Sequence, residues 1–396
     1  MIPGTFPALV WILLFAPVLL AALPPLGKED YLQAKGKQIV NRRGEAVVLQ
    51  GVNIGGWLVT EGWMCGQSDD AGRGALEQLE ARFGPDKAAV LMDAWRDNWF
   101  TVRDLDLIQS WGFNVIRVPF GWRNLQDAGG QWLRDRSGRI DFSRMDWVVA
   151  EAARRRIYVV FDLHIWPKQF EKGSYGLPSR WSEEGKAVRA RMAALWSEVA
   201  EHFKGNGAVA GFDVINEPEG SPWNAPHHAF SDAIRARDPE RMVIVEWCGY
   251  EKMPKEFPSN AVYSDHYAFK DGPGFTTYRD SLAKHPDVQA PVFLGEMKAG
   301  QDNAGAARWM ADAMNGQGWH WAVWTYKAVN NGGWAAFNYH ASLRYDLSKD
   351  SYESLLEKWT HGLTRWQDPS APKSHTINQW WVDGFRQSGS RPDAAR

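Results

Sequence analysis

The sequence predicts an α/β fold, namely a (β/α)8 or TIM barrel built as a single domain. Eight short runs of apolar and β-branched residues recur along the chain, and amphipathic stretches of helical period lie between them. This alternation is typical of parallel strands joined by crossover helices, and eight such units close a barrel. The length of 396 residues suits one large barrel, and no linker-like segment divides the chain.

A small hairpin is expected before the barrel, with its turn at Asn41–Gly44. The eight candidate barrel strands are residues 47–54, 114–120, 157–164, 211–217, 242–247, 262–267, 291–296 and 320–326. The clearest candidate helices are residues 146–156, 185–203, 227–238 and 306–318. The main domain is therefore expected to span residues 28–386, followed by a disordered tail at 387–396.

The N-terminal segment has the character of a targeting sequence. Residues 6–23 carry no charged side chain, and the first charge in the chain is Lys28. An apolar segment of 18 residues is typical of a signal peptide or of a short membrane anchor. We therefore expect residues 1–27 to be a leader that exports the protein, as a secreted or periplasmic protein, with cleavage or membrane attachment through residues 6–23 left open.

The composition excludes some functional classes. The net charge of −2 does not provide the basic surface that nucleic-acid binding needs. We also expect the protein to be a monomer. No glycine-rich phosphate loop follows a candidate strand, which disfavours nucleotide-binding folds. Cys65 and Cys248 could form one disulfide or remain free. The 23 tryptophans are unusual, and we expect some in the core and others as flat surfaces for sugar rings.

Polar side chains stand at the ends of most candidate strands, where the active sites of such barrels are built. The residues at these positions are Asn53, Arg117, Asp162, His164, Asn216, Glu217, Asp265, His266, Tyr267, Glu296 and Trp324. A purely structural barrel has no need for ionisable groups on so many strand ends. The sequence therefore predicts an active site at this face of the barrel.

Two carboxylates stand out among these residues, because Glu217 ends the fourth strand and Glu296 ends the seventh. In an eight-stranded barrel these two ends face each other across the mouth. Glycosidic cleavage needs such a pair, one to protonate the leaving oxygen and one to attack or stabilise the anomeric carbon. Retaining enzymes hold the two groups about 5–5.5 Å apart, and inverting enzymes hold them roughly 6.5–9.5 Å apart.

The chain resembles glycoside hydrolase family 5, the cellulase family, over nearly its whole length. The segments that carry the resemblance are residues 112–122, 159–164, 214–218, 264–267, 293–296 and 323–327. The opening "QGVNIGGWLVTEGWM" (50–64) and "VWTYKAVNNGGWAAFN" (323–338) are similar to the exo-β-1,3-glucanase-like branch. The loop at 164–181 does not follow that branch. The resemblance implies a TIM-barrel glycosidase that acts on a β-glucan or related β-linked oligo- or polysaccharide.

The resemblance also implies roles for the residues at the barrel mouth. Glu217 would be the general acid/base and Glu296 the nucleophile. Arg117 would donate a hydrogen bond to the nucleophile, and Asn216 would hold the 2-hydroxyl of the sugar. The acid must be protonated near the working pH, so its surroundings are expected to raise its pKa, whereas the nucleophile needs donors and positive charge nearby.

Further binding residues follow from the same resemblance. His164 would line the −1 sugar site. Asp162 lies on the same strand face and could orient either His164 or the neighbouring backbone. Trp324 would form the floor under that sugar. Glu61 would bind sugar hydroxyls or form an exposed salt bridge. The candidate aromatic platforms are Trp57, Trp166, Trp181, Trp223 and Trp334.

The sixth strand departs from the family pattern, which has His-x-Tyr where this chain has "DHY" at 265–267. If Tyr267 is the tyrosine that touches the nucleophile, Asp265 fills the histidine position. If His266 is the family histidine, the tyrosine is displaced by one residue. Both His266 and Tyr267 therefore remain candidates, with a slight preference for Tyr267.

Three other functions compete with hydrolysis by this pair. A metal-dependent barrel hydrolase would need clustered histidine ligands, which the first strand lacks. Because two carboxylates suffice for glycosidic cleavage, we expect no metal and no organic cofactor. A non-catalytic sugar-binding barrel and a transglycosidase that remodels a β-glucan both stay open. The linkage, the sugar that is cleaved and the choice between endo and exo attack also stay open.

Overall fold

The fold is a closed barrel of eight parallel strands surrounded by helices, which confirms the predicted (β/α)8 class. The computed structural model describes residues 23–68, 74–167, 182–218, 226–246, 258–284 and 289–386. The barrel runs in the order β3 to β10, and β10 pairs with β3 to complete the ring. Its strands are β3 (Gln50–Asn53), β4 (Val115–Gly121), β5 (Tyr158–Ile165), β6 (Val209–Asp213), β7 (Val243–Glu246), β8 (Ala261–His266), β9 (Val292–Met297) and β10 (His320–Val323).

Helices cover the outside of the barrel. They are α1 (Gly62–Cys65), α2 (Ala75–Phe83), α3 (Pro85–Trp99), α4 (Val102–Ser110), α5 (Ser143–Arg154), α6 (Glu183–His202), α7 (Pro226–Arg237), α8 (Gly272–Ala283), α9 (Ala304–Asn315), α10 (Tyr352–Glu357) and α11 (Gln379–Phe385). All eight predicted barrel strands and the four predicted helices are therefore present, each within a few residues of its expected bounds.

Two small sheets accompany the barrel. An N-terminal hairpin consists of β1 (Gln33–Lys35) and β2 (Gln38–Val40), and it turns at Gly36–Lys37 and not at the predicted Asn41–Gly44. Asn41–Gly44 forms the next turn, which brings Val40 and Ala46 into an isolated antiparallel bridge. In that turn the Gly44 amide donates to the Asn41 carbonyl at 2.9 Å. A second sheet consists of β11 (Lys327–Val329), β12 (Phe337–Tyr339) and β13 (His375–Ile377). This sheet was not predicted, since its strands have only three residues each.

Tryptophans in the core fix the loop that follows the first barrel strand. Trp95 and Trp99 of α3 stack with ring centroids 4.6 Å apart. Their indole N–H groups donate to the carbonyls of Gly56 and Gly55 at 2.7 and 3.0 Å. Gly56 has a φ of +81°, and a β-carbon there would lie 2.7 Å from the Trp99 ring. The buried indole N–H groups of Trp95 and Trp99 thus hold in place the loop that leads to Glu61, because each of them needs a backbone carbonyl as its hydrogen-bond acceptor.

Trp57 is part of this core, so the prediction that it is a sugar platform is wrong. Its side chain is only 1% exposed, and its indole N–H donates to the Arg96 carbonyl at 2.8 Å. Its ring packs against Phe100 and Trp147. Trp166, another predicted platform, is equally buried. Trp181 and Trp223 lie outside the described residues.

Other predictions concern parts of the chain that the structure does not describe. Residues 6–22 of the apolar leader and the tail at 387–396 are among them, as is Cys248. Cys65 lies in α1 as a buried free thiol. Among the helices in the described ranges, none has the length and apolar character needed to cross a bilayer.

Candidate active site

The carboxyl ends of the barrel strands bring the predicted polar residues together around Arg117. This arginine lies on β4 with no exposed surface. Its guanidinium donates hydrogen bonds to Asn53, Asp213, Asn216, Glu246 and Glu296 at 2.8–3.1 Å, and it lies 3.1 Å from Asp162. A buried guanidinium is stable only when such acceptors surround it. Arg117 therefore joins the ends of several strands into one ionic cluster.

Four carboxylates share the positive charge of Arg117. Asp162, Asp213 and Glu246 have no exposed surface, and Glu296 is nearly as buried. Burial, followed by the charge of Glu246, raises the pKa of Asp213 well above its ordinary range despite Arg117. Asp213 shares Arg117 with three other buried carboxylates, so its raised pKa favours the protonated, neutral form of this side chain.

Glu296 is the penultimate residue of β9 and lies at the mouth of the barrel. Its carboxylate accepts from Arg117 at 2.8 Å and from the hydroxyl of Tyr267 at 3.2 Å. Burial raises its pKa, and His266 and Arg117 work against that rise with their positive charges. The predicted nucleophile is thus fixed in position by two donors.

Glu217 lies opposite Glu296 and is the more accessible of the two. Strand β6 ends at Asp213, so Glu217 sits on the turn that follows the strand, not on the strand itself, and its φ is +38°. Its side chain is 48% exposed, and it lies 2.9 Å from Nδ1 of His266. A carboxylate oxygen of Glu217 lies within 4.8 Å of one of Glu296. This separation is close to the spacing of retaining glycosidases.

The pKa of Glu217 differs from the expectation for an acid. Burial raises this pKa, but the hydrogen bond and charge of His266 outweigh burial, and the net direction is downward. The pKa of Glu217 is therefore lowered, and not raised as expected for the general acid. The sequence could not show this, since His266 reaches Glu217 only through the fold.

His266 bridges two carboxylates at the barrel mouth. Its Nδ1 faces Glu217, and its Nε2 lies 3.1 Å from Glu246. Burial lowers the pKa of His266, but Glu246 and Glu296 outweigh burial and raise it well above its ordinary range. His266 is therefore an imidazolium ion that is shared by Glu217 and Glu246.

Both alternatives for the sixth strand are found in the site. His266 is the last residue of β8, and Tyr267 follows it with a φ of +46°. In a regular strand two adjacent side chains would point to opposite faces. The positive φ turns the chain so that His266 reaches Glu217 while Tyr267 reaches Glu296. Asp265 instead lies 3.5 Å from the hydroxyl of Tyr263 and accepts from the His266 amide.

Glu246 is a site residue that the sequence reasoning did not select. It ends β7, and its Oε2 accepts from the backbone N–H of Glu217 at 2.6 Å. Its Oε1 accepts from Arg117 at 2.8 Å. The signal was available, because a lone glutamate at the end of the apolar run "MVIVEW" obeys the same strand-end rule as Glu296.

His164 and Trp324 form a second part of the site. Their rings are parallel, with centroids 5.5 Å apart. Nδ1 of His164 lies 2.7 Å from Asp162, as expected, and its Nε2 lies 3.8 Å from Glu61. Burial lowers the pKa of His164, but the charge and hydrogen bond of Asp162 outweigh burial and raise it to about 9. At neutral pH this side chain is a cation beside the two catalytic candidates.

We expect Asp162→Asn to return the pKa of His164 from about 9 towards its ordinary value near 6.5, because the change removes the charge that raises it. The measurement is an NMR titration of the histidine ring nitrogens in both proteins. Asp146→Asn is the matched control, since Asp146 pairs with the exposed His202 at 2.6 Å. An unchanged His164 titration in Asp162→Asn would contradict the assignment.

Aromatic residues border the carboxylate pair on one side. Trp334 is partly buried and lies edge-on to Tyr267 and Trp63, with ring centroids 6.2 and 5.3 Å apart. The ammonium of Lys298 sits 4.6 Å above the Trp334 ring. Trp63 is exposed, and its indole N–H donates to Glu61 at 2.7 Å. Trp63 and Lys298 were not predicted, because nothing in their sequence context distinguishes them from surface residues.

Two groups of acidic residues and histidine have ligand atoms close enough to hold a metal ion. They are Glu217 with His266 and Glu296, and Asp162 with Asp213 and Glu246. In the second group the Arg117 guanidinium already lies 2.8–3.1 Å from all three carboxylates. In the first group Nδ1 of His266 already lies 2.9 Å from Glu217, and its Nε2 lies 3.1 Å from Glu246.

Comparison with known proteins adds a family to this geometry. The model of the cellulase family, glycosyl hydrolase family 5, matches residues 86–330. A β-xylosidase from Phanerodontia chrysosporium is 30% identical over 230 residues, which cover 54% of this chain and 46% of the relative. A probable glucan 1,3-β-glucosidase A from Neosartorya fischeri is 26% identical over 299 residues, 68% of each protein. The chain thus matches about half of the length of the first of these relatives.

Solved structures share the fold. An endogalactoceramidase structure has a TM-score of 0.57 at 18% identity, covering 92% of this chain and 85% of that protein. The endoglucanase Cel5A from Thermotoga maritima has a TM-score of 0.50 at 19% identity, covering 78% of this chain and 96% of that protein. At these identities the likeness concerns the barrel alone.

Proposed function

The chain belongs to glycosyl hydrolase family 5, and we propose that it is a retaining β-glycosidase that hydrolyses β-linked glucan-type saccharides. The observation that carries the proposal is the pair Glu217 and Glu296, with carboxylate oxygens within 4.8 Å and very different surroundings. Glu296 is buried and held by two donors, whereas Glu217 is half exposed beside an imidazolium ion. This asymmetry suits one nucleophile and one proton carrier.

In the proposed reaction Glu296 attacks the anomeric carbon and forms a glycosyl ester. Arg117 and Tyr267 hold the attacking carboxylate in line and stabilise it again as it leaves in the second step. Glu217 first protonates the departing glycosidic oxygen and then takes a proton from the water that hydrolyses the ester. Asn216, whose amide oxygen is held by Arg117 at 2.9 Å, has its NH2 group available for the 2-hydroxyl.

The low pKa of Glu217 is compatible with its role as an acid. The proton it needs lies on His266, 2.9 Å from the Glu217 carboxylate. The two groups titrate as a pair that holds one proton between them. A bound saccharide would displace water from the exposed half of Glu217, and this desolvation favours transfer of the proton from the imidazolium to the carboxylate.

The substrate class is supported by two kinds of observation. Relatives carry the names glucan 1,3-β-glucosidase and β-xylosidase, which both denote enzymes for β-linked sugars. The partly buried Trp334 and the exposed Trp63 offer aromatic surfaces beside the carboxylate pair, whereas Trp324 is buried against His164. Aromatic faces of this kind suit the C–H faces of equatorially substituted sugars such as glucose and xylose.

We expect the protein to release sugar from at least one of laminari-oligosaccharides, cello-oligosaccharides and aryl β-glucosides or β-xylosides. Because two displacements at the anomeric carbon restore its configuration, proton NMR at early times should show the β-anomer first. Mass spectrometry of the products gives the linkage and the mode of attack. First release of the α-anomer would overturn the retaining mechanism, products longer than the substrate would indicate transfer, and tight binding without turnover would indicate a binding protein.

A further inference from the structure

Asp265 is a buried carboxyl group to which the proposed reaction gives no role. It lies on β8 directly before His266, and it is only 5% exposed. Along β8 the side chains of Ser264 and His266 share one face of the strand, and on that face His266 reaches Glu246. The side chain of Asp265 therefore points to the opposite face of β8, where the hydroxyl of Tyr278 on α8 lies beside it.

The layer between β8 and α8 is mainly apolar and offers Asp265 no cation. Tyr263 and Ala290 are buried there, and Tyr278, Leu282 and Val292 pack against them. Among the described residues, no lysine or arginine forms an ion pair with Asp265. Burial raises the pKa of this carboxyl to about 6, although the hydrogen bond from the His266 amide and the charge of His266 act against that rise. Burying a carboxyl in such a layer is costly, so a specific contact must need it.

The contact that needs Asp265 is a hydrogen bond from the backbone N–H of His266, which donates to Oδ1 at 2.8 Å. On one side of β8, the pairing with β7 extends only as far as Glu246 opposite Ser264. On the other side, the pairing with β9 shifts its register between Asp265 and His266. His266 therefore lies where the regular ladder ends, and the side chain of Asp265 accepts the hydrogen bond of its amide.

The two residues that follow Asp265 reach different carboxylates although they are adjacent in sequence. Nδ1 of His266 lies 2.9 Å from Glu217, and the hydroxyl of Tyr267 lies 3.2 Å from Glu296. Tyr267 has a φ of +46°, which bulky side chains rarely adopt. Its own amide donates to the Glu296 carbonyl at 2.9 Å. Because Asp265 holds the amide of the preceding residue, consecutive amides at this turn are both fixed.

We propose that Asp265 is a positioning residue, whose carboxyl oxygen fixes the backbone of His266 so that His266 and Tyr267 each reach one of the two catalytic carboxylates. In this way a chain with adjacent histidine and tyrosine presents both side chains at the barrel mouth. The role rests on the proposed hydrolysis, because Asp265 would affect turnover only through Glu217 and Glu296.

Two substitutions separate the acceptor oxygen of Asp265 from the volume of its side chain. Asp265→Asn keeps an oxygen for the His266 amide, and its NH2 group can donate to the tyrosine hydroxyls. Asp265→Leu has a similar shape and no acceptor. We expect Asp265→Leu to lower kcat for an aryl β-glucoside at least tenfold while KM changes less than threefold, and Asp265→Asn to stay within threefold of the wild type. Asp280→Leu on α8 is the matched control, because its side chain is 53% exposed, and it should turn over as the wild type does.

Thermal unfolding shows whether Asp265→Leu acts on the fold. Its melting temperature should equal or exceed that of the wild type, because leucine suits the apolar layer and removes a buried carboxyl. A purely structural Asp265 would then be replaceable without loss of turnover. Wild-type turnover in Asp265→Leu, or a loss in Asp265→Asn as large as in Asp265→Leu, would overturn the proposal.

NMR of the histidine-labelled wild type reads the hydrogen bond without relying on turnover or on the leucine variant. The amide proton of His266 should shift with a midpoint near pH 6, because its acceptor loses its charge as Asp265 takes up a proton. Other groups nearby titrate elsewhere, since burial raises the pKa of Tyr278 well above its ordinary range and the charge of His266 outweighs burial and lowers that of Glu246. The shift should be absent in Asp265→Asn.

The NMR result also separates this proposal from the proposed hydrolysis. A wild type that shows the titration of the His266 amide but cleaves no β-glycoside would support the contact and reject the hydrolysis. A wild type that cleaves β-glycosides while the His266 amide does not titrate near pH 6 would support the hydrolysis and overturn the role of Asp265.

Discussion

Glu296→Ala is expected to lower kcat/KM for an aryl β-glucoside by roughly 10⁴-fold or more, because loss of an enzyme's nucleophile is among the costliest single changes. Glu217→Ala should depend on the leaving group instead. An aryl group that leaves without a proton still permits the first step, so the glycosyl ester should accumulate. Initial rates with a series of aryl leaving groups measure the difference between the two variants.

Azide distinguishes the two roles by stereochemistry. In Glu217→Ala a small anion can occupy the vacated space and attack the glycosyl ester on Glu296, which gives a β-glycosyl azide. In Glu296→Ala azide would replace the nucleophile itself and give the α-glycosyl azide. NMR of the products identifies each anomer. The reverse assignment of anomers would contradict the roles of the two residues.

Controls for this experiment come from the same chain. Glu353→Ala removes an exposed glutamate on α10, far in sequence from the barrel mouth, and should leave kcat/KM unchanged. Circular dichroism should show the same fold in all three variants. Retained turnover in Glu296→Ala with an unchanged fold would sink the nucleophile assignment.

The barrel could be predicted from the sequence because its strands are signalled locally. Each strand is a short apolar run, as in β4 and β5. The polar residues at the ends of these runs mark the end of the barrel where the carboxyl ends of the strands lie. The sheet of β11, β12 and β13 was not predictable in this way, since strands of three residues carry no periodicity. Its pairing depends on contacts between segments far apart in sequence.

The sequence predicted which residues form the site, but it did not predict their pKa values or their burial. Glu217 and Glu296 follow from their positions at strand ends. The pKa of each depends on His266, Arg117 and burial, which only the fold brings together. Trp57 shows the same limit, because its identity suits a sugar platform and its burial under Phe100 and Trp147 excludes one. Residue type predicts chemistry, whereas exposure is decided by tertiary packing.

Glu246→Gln is expected to lower kcat/KM by about 10²–10³-fold. Glu246 would act by positioning Glu217 and His266 and not by touching the substrate. Both carboxylate oxygens face donors, with Arg117 and His266 at Oε1 and the Glu217 amide at Oε2. A carboxamide has one acceptor oxygen, so its NH2 group must face a donor in either orientation. The turn that holds Glu217 or the ring of His266 must then shift, and displacements of this size at reacting groups cost about 10²-fold in rate.

The pH profile tests whether Glu246 positions charge or merely supports the fold. The pKa of His266 is raised mainly by Glu246, and the reaction needs the proton that His266 shares with Glu217. When a neutral carboxamide replaces the Glu246 carboxylate, this proton is lost at a lower pH. The alkaline limb of kcat/KM should therefore move to lower pH in Glu246→Gln, while Glu246→Asp, which keeps the charge, should leave that limb near its wild-type position.

Ser264→Ala is the matched control for this experiment. Ser264 pairs with Glu246 across β7 and β8, is fully buried, and its hydroxyl has no hydrogen-bond partner among the described residues. Ser264→Ala alters the packing beside Glu246 without changing any charge, so the pH dependence of kcat/KM should stay as in the wild type. If Glu246→Gln lowers the rate and keeps the wild-type profile, Glu246 acts on the fold alone. If both the rate and the alkaline limb move, the imidazolium between Glu217 and Glu246 is the proton store of the active site.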